Sequence, residues 1–180
     1  MERSLTHIAL FAALIAVLGL VPKIDLAAGV PITAQSLGIM LCGTVLGAKR
    51  GALAVLLFLG LVALGLPLLS GGRGGLGVFA GPSVGFLIGF PIAAFVAGLV
   101  VERTTLAPFW AAMCGAIFGG IGVMYAFGIP GMALMLDKTL TEASYLAMAF
   151  LPGDLVKAVL AGFVTQAIAK ARPGALMSRA

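Results

Sequence analysis

Asp154 and Lys157 are the residues of this chain whose types and spacing most plainly demand chemistry. They sit in Leu151-Pro152-Gly153-Asp154-Leu155-Val156-Lys157, followed by the apolar run from Ala158 to Ala169. That run holds twelve residues, too few to cross a membrane core that needs about 20. A spanning helix must therefore take in both charges near one end. Pro152 fits a first helical position, where its missing N–H costs nothing. Asp154 then lies in the first turn, where the helix dipole favours a carboxylate. Lys157 falls on the same face one turn on, with no help from the dipole. An ionisable side chain in a membrane costs about 2.5–3.5 kcal/mol on insertion scales and marks a functional site by default. The pair either neutralises itself and locks the helix end, or faces a pocket and divides a ligand between a carboxylate acceptor and an ammonium donor.

Two further stretches carry polar groups among apolar ones. Ser70-Gly-Gly-Arg73-Gly-Gly75-Leu-Gly-Val-Phe79-Ala-Gly-Pro82 is rich in glycine, which lets backbone approach a ligand closely. Its N–H groups can form an anion nest, and Arg73 either meets a ligand carboxylate or snorkels to an interface. Gly75-Leu-Gly77-Val-Phe-Ala80 formally matches a dinucleotide fingerprint. That reading needs a preceding strand and a βαβ unit, and is rejected for lack of them. In Pro31-Ile32-Thr33-Ala34-Gln35-Ser36, Thr33 and Gln35 either line a pocket or satisfy backbone at a helix start.

The elements that position these residues follow from composition. The chain has 180 residues, 62% hydrophobic and 9% charged, with a mean hydropathy of +1.21. Residues 51–72, 74–101 and 104–136 hold no Asp, Glu, Lys, Arg or His. Soluble domains carry roughly a quarter charged residues, and the period-2 alternation of a membrane β-barrel is absent. The fold class is an all-α integral membrane protein, one domain over 1–180, with six spans near 5–20, 35–48, 50–65, 83–101, 108–129 and 152–170. Arg3 ahead of Ile8–Leu20, with Ala27-Ala28-Gly29 beyond, also fits a cleaved leader, but a polytopic chain needs none.

Basic residues set the topology. With both termini cytoplasmic, Arg3, Lys49, Arg50, Arg103, Lys170, Arg172 and Arg179 lie inside, against Lys23, Arg73 and Lys138 outside. The +5 net charge is thus a topology signal, and nucleic acid is not implied. All three outer connections, near 21–34, 66–82 and 129–151, are long and apolar. Backbone of that kind must line a cavity or be buried. The second span, about 21 Å long at 1.5 Å per residue, falls short of a ~30 Å core, so the loop before it is expected to dip inward. The expectation is an outward pocket under loops.

Small residues form seams. Gly81, Gly85, Gly89, Ala93 and Ala97 make a close-packing stripe, read here as internal. Ala9-x-x-x-Ala13 and Ala12-x-x-x-Ala16 make another on the first span, which could face a partner protein. No P-loop, nucleophile–base set or metal-ligand spacing is visible, and Cys42 and Cys114 stand far apart. The chain looks like a binder that needs no cofactor, and not an enzyme.

Taken together, Pro31-Ile-Thr33-x-Gln35-Ser-Leu-Gly38, Gly71-Gly-Arg73-Gly-Gly75-Leu-Gly77 with Gly81-Pro82, and Leu151-Pro-Gly-Asp154-x-x-Lys157 resemble the BioY family. Leu46-Gly-Ala-Lys-Arg-Gly-Ala52 and Gly89-Phe-Pro91 fit as well, so the resemblance runs along nearly the whole chain. It is weakest in the fifth span and the loop after it. It implies a six-helix, biotin-binding substrate component of an energy-coupling-factor transporter in a bacterial cytoplasmic membrane. Asp154 and Lys157 would meet the ureido head of biotin, with Thr33 and Gln35 nearby. Phe79 and Phe86 would wall the rings, and Arg73 or loop N–H groups such as that of Gly75 would take the carboxylate. Phe86 stands where relatives often have tyrosine, so no hydroxyl contact is expected there. Implied partners are a transmembrane coupling subunit, contacted through Ala9 and Ala13, and paired ATPases. The alternative is a solitary carrier, working singly or as a homo-oligomer. Membrane lipid surrounds either form.

Overall fold

The computed structural model describes residues 2–25 and 29–179. Ala27 and Ala28, the small residues of the possible leader site, lie outside the described residues, as does the side chain of Arg3. Helices dominate: α1 (Glu2–Leu18), α2 (Gln35–Leu46), α3 (Ala48–Ala63) and α4 (Val84–Arg103). After them come α5 (Pro108–Leu136), α6 (Leu140–Met148) and α7 (Leu151–Ala171). No strand is formed among the described residues beyond two isolated antiparallel bridges, Ile24 with Ile32 and Leu69 with Arg73. Among the described residues three helices are long and apolar enough to cross a membrane, α4, α5 and α7; Ser4–Leu18 and Gln35–Leu46 are shorter apolar helices.

The sequence reading of a long loop over 129–151 is corrected. The helix runs on through Pro130 to Leu136, and α6 fills most of the remainder. Pro130 removes one backbone bond, a loss that neighbours absorb in membrane-type helices. Asp137 ends the helix in the left-handed region at φ 51. Thr139 and Glu142 then form a reciprocal capping box that starts α6. The hydrogen bond from the Thr139 N–H holds the Glu142 carboxyl below its usual range.

A second correction concerns the junction of α2 and α3. The spans read as 35–48 and 50–65 divide instead at Gly47, and Ala48, Lys49 and Arg50 open α3. Its φ of 88 is one that residues with a Cβ rarely adopt. Glu102 Oε1, from the end of α4, accepts the Ala48 N–H at 2.8 Å and closes the turn.

α2 and α4 make the centre. Every residue of α2 except Leu37 is buried, as expected of a helix that is apolar all round. α4 packs against α2, α3 and α5, while α7 packs against α2 and the first half of α5. Small residues permit this closeness. A Cβ on Gly43 of α2 would meet the Ala94 carbonyl oxygen of α4, and one on Gly85 of α4 would meet the Phe127 carbonyl oxygen of α5. The glycine stripe of α4 is therefore an internal seam from Gly85 onward. Gly43→Ala is expected to lower stability by about 1–3 kcal/mol, the usual cost of overpacking, read as a lower Tm in detergent.

α5 contains a wide π-helical stretch, Ala116–Val123. Gly119, Gly120 and Gly122 weaken the α preference there. The Gly119 backbone lies against the Ala93 carbonyl and the Ala97 N–H of α4. Such insertions recur at functional sites, and Tyr125 lies two residues beyond the end of this one.

The outward faces are apolar. Leu53, Leu56, Ile88, Phe95, Phe118 and Phe163 are exposed, a surface suited to hydrocarbon rather than water. At the far end from Asp154, the chain after α7 folds back in two short 3-10 turns. Ser178 Oγ donates to the Thr44 carbonyl at 2.6 Å, and Arg179 Nη2 donates to the Leu106 carbonyl at 2.8 Å.

Candidate ligand-binding site

α7 begins as its sequence requires, with Pro152 in its first turn and Asp154 in the same turn. Asp154 and Lys157 pair at 2.9 Å, their side chains only 7% and 14% exposed. Neither charge stands alone with the other. Ser36 Oγ, from the first turn of α2, donates to Asp154 Oδ1 at 3.1 Å and accepts from Lys157 Nζ at 2.8 Å. Tyr125 Oη donates to Asp154 Oδ2 at 2.9 Å. The carboxylate thus gathers donors from three helices, which is how a buried charge becomes tolerable.

This cluster opens on a cavity enclosing about 590 Å³, its mouth included. Asp154, Lys157, Thr33, Gln35, Arg73 and Phe86 all line it, so most of the sequence-derived site is brought together. Gly75 and Phe79 are not on its wall. The Gly75 N–H donates to the Val62 carbonyl at 2.7 Å and anchors the loop to the end of α3. Phe79 packs against the core from the short 3-10 turn Leu76–Ala80.

Gln35 is on the wall, but its amide is engaged. Nε2 donates to the carbonyls of Ile15 in α1 and Leu68 in the 66–82 loop, both at 3.1 Å. Oε1 accepts the Ser70 N–H at 3.0 Å. Thr33 Oγ1 accepts the Gln35 N–H at 3.3 Å, so it satisfies backbone at the helix start and lines the cavity as well. Arg73 holds the Ser70 carbonyl through Nε at 3.3 Å. Among the described residues no carboxylate pairs with its guanidinium.

The loops come in as expected. Val30 is buried in the core, and Pro31, Ile32 and Thr33 form cavity wall just before the short α2. Aromatic rings make the apolar side. Phe86 meets Phe150 edge-on at 5.8 Å and Tyr125 at 6.3 Å. Its ring lies directly over Gly128, where any Cβ would displace it.

Sequence reasoning missed Tyr125, Ser83, Phe90 and Phe150 as site residues, and quoted Ser36 without giving it a role. Ser36 lies one residue after Gln35 and its hydroxyl reaches Asp154 directly, so the motif held its signal. Tyr125 carried none, because the π stretch decides which way it faces. Tyr125→Phe is expected to loosen Asp154 and weaken ligand binding by no more than about 1.5–3 kcal/mol, the worth of a hydrogen bond to a charged group. Titration beside the wild-type protein reads it.

A helical bundle with lipid-suited faces, a loop-covered cavity and a buried acid–amine couple defines a membrane-type fold with a candidate site for a small molecule. The comparisons with known proteins give the family. The BioY family model matches residues 2–174. The biotin transporter BioY of Rhodobacter capsulatus is 56% identical, with 99% of this chain and 100% of that protein covered. That of Rhizobium etli is 51% identical over 92% of each chain. Among solved structures, the S-component for biotin from an ECF-type ABC transporter superposes with a TM-score of 0.88 at 31% identity, covering 94% of this chain and 92% of that one. The chain belongs to the BioY family. Its relatives are transporters, and it is not an enzyme.

Proposed function

We propose that the chain captures biotin at the outer side of the bacterial cytoplasmic membrane, as the substrate-binding component of an energy-coupling-factor transporter. In this reading α1–α5 and α7 cross the membrane, α6 lies outside it, and both termini are cytoplasmic. The observation that carries it is the Asp154–Lys157 couple on the wall of the cavity. Biotin's cyclic urea has two N–H donors and one carbonyl acceptor, the complement of a carboxylate beside an ammonium. Asp154 accepts from the urea N–H groups, and Lys157 donates to its carbonyl. Thr33 lies beside them, Gln35 supports the wall, and Phe86 with its aromatic neighbours covers the bicyclic rings. Arg73 supplies positive charge for the carboxylate. Gly75 and Phe79 act by shaping the loop that carries Arg73. The named activity of the relatives supports the same ligand.

Ala9 and Ala13 are exposed on α1, whereas Ala12 faces inward. A small-residue face left free on the outside of the bundle suits a helix of a coupling subunit. The alternative, a solitary carrier, needs no such contact.

Titration of the detergent-purified chain with labelled biotin tests the reading, with thiamine and riboflavin as competitors. Tight binding displaced by unlabelled biotin alone is expected; absence of biotin binding overturns it. Uptake by this chain alone, in a biotin-uptake-deficient host lacking any coupling ATPase, would reassign the energy source to the solitary carrier.

A further inference from the structure

Ser83 occupies the residue before α4, the position where serine ordinarily caps a helix through its hydroxyl. It makes no such bond. Its Oγ is buried and without a hydrogen-bond partner among the described residues, the residue is 8% exposed, and it lines the ligand cavity. Ser70 and Thr104 also have buried hydroxyls without partners, but neither is on the cavity wall. Buried polar groups in native proteins nearly always have partners, so an orphan on a binding surface calls for one.

The other polar groups of the wall are largely committed. Ser36 and Lys157 are tied to Asp154, Thr33 accepts from the Gln35 backbone, and the Gln35 amide bridges three segments. A ligand carboxylate is an acceptor only and must find donors. Asp154 repels it. What remains is the Arg73 guanidinium and the Ser83 hydroxyl, the latter at the positive end of a 20-residue helix.

We infer that Ser83 contacts the ligand directly, donating its hydroxyl to the carboxylate of the transported molecule while Arg73 supplies the counter-charge. The inference rests on the biotin reading above and assigns the grip on the acid group to a hydroxyl that makes no hydrogen bond within the described residues.

The test compares Ser83→Ala, Ser83→Thr and the wild type, each titrated with biotin, biotin methyl ester and biotin amide. A charge-assisted hydrogen bond predicts that Ser83→Ala weakens biotin roughly tenfold or more. The two neutral derivatives should change by less than about threefold. Ser83→Thr, which keeps the hydroxyl, should recover most of the loss. The Tm of ligand-free Ser83→Ala should match the wild type, because no bond within the protein is removed. Wild-type affinity for biotin in Ser83→Ala, or equal losses for acid and ester, overturns the inference. A lower ligand-free Tm also overturns it by exposing a hidden cap. Failure of the biotin reading is separate, since the wild type would then bind none of the three.

Discussion

Asp154→Asn is expected to weaken biotin binding by at least about 1.5–3 kcal/mol, the worth of a hydrogen bond to a charged group, or roughly tenfold to a hundredfold. The substitution keeps the shape and removes the charge. It also turns one acceptor into a donor at a point where Lys157, Ser36 and Tyr125 all present donors. Lys157 is left as a buried ammonium without a carboxylate, so part of the effect falls on stability as well. Titration with biotin, alongside a Tm of the ligand-free variant, separates the two. Wild-type affinity in a folded variant would make Asp154 a structural counter-ion and nothing more.

Gln35→Ala is the largest stability effect expected from a residue on the cavity wall, about 2–4 kcal/mol for the loss of three side-chain bonds and the stranding of their buried partners. Those bonds join α1, α2 and the 66–82 loop at one point. The end of α1 is pressed into the same junction: a Cβ on Gly19 would come within 2.6 Å of the Leu68 carbonyl oxygen and 2.9 Å of Gln35 Nε2. Without the amide, the loop that holds Arg73 at the cavity loses its ties to α1 and α2 and keeps the Gly75 anchor to α3. Thermal denaturation in detergent should show the drop, with Gln35→Glu, which keeps an acceptor for Ser70 but neither donor, close to the alanine variant. An unchanged Tm would show that the junction is held by packing alone.

What the sequence made legible, and what it did not, has a physical pattern. Asp154 and Lys157 stood out because charges are rare and costly in an apolar span, so their presence was already an argument. The loops over the cavity were legible because glycine-rich apolar backbone has few other places to go. Pro130 and Gly131 misled, since they signal a break in water, while a helix in a bundle carries on through them. Tyr125 was invisible because its direction depends on the π stretch before it, a backbone choice no side-chain pattern announces. Ser83 was overlooked for a different reason: a serine before a helix looks fully explained as a cap, and only the coordinates show that it caps nothing.

The acid–amine couple also sets the terms on which strangers are refused. Asp154 and Lys157 hold each other, Ser36 and Tyr125 in one hydrogen-bonded cluster. A newcomer must therefore trade with a satisfied cluster rather than fill a hungry one. A urea can trade, giving N–H for N–H and carbonyl for hydroxyl. A molecule with the same acid arm and a sulfur ring but no urea, such as lipoate, has nothing to offer in exchange and would strip water from the cluster without repayment. In the biotin reading, selectivity then resides less in the attraction for the right guest than in the desolvation penalty imposed on the wrong one.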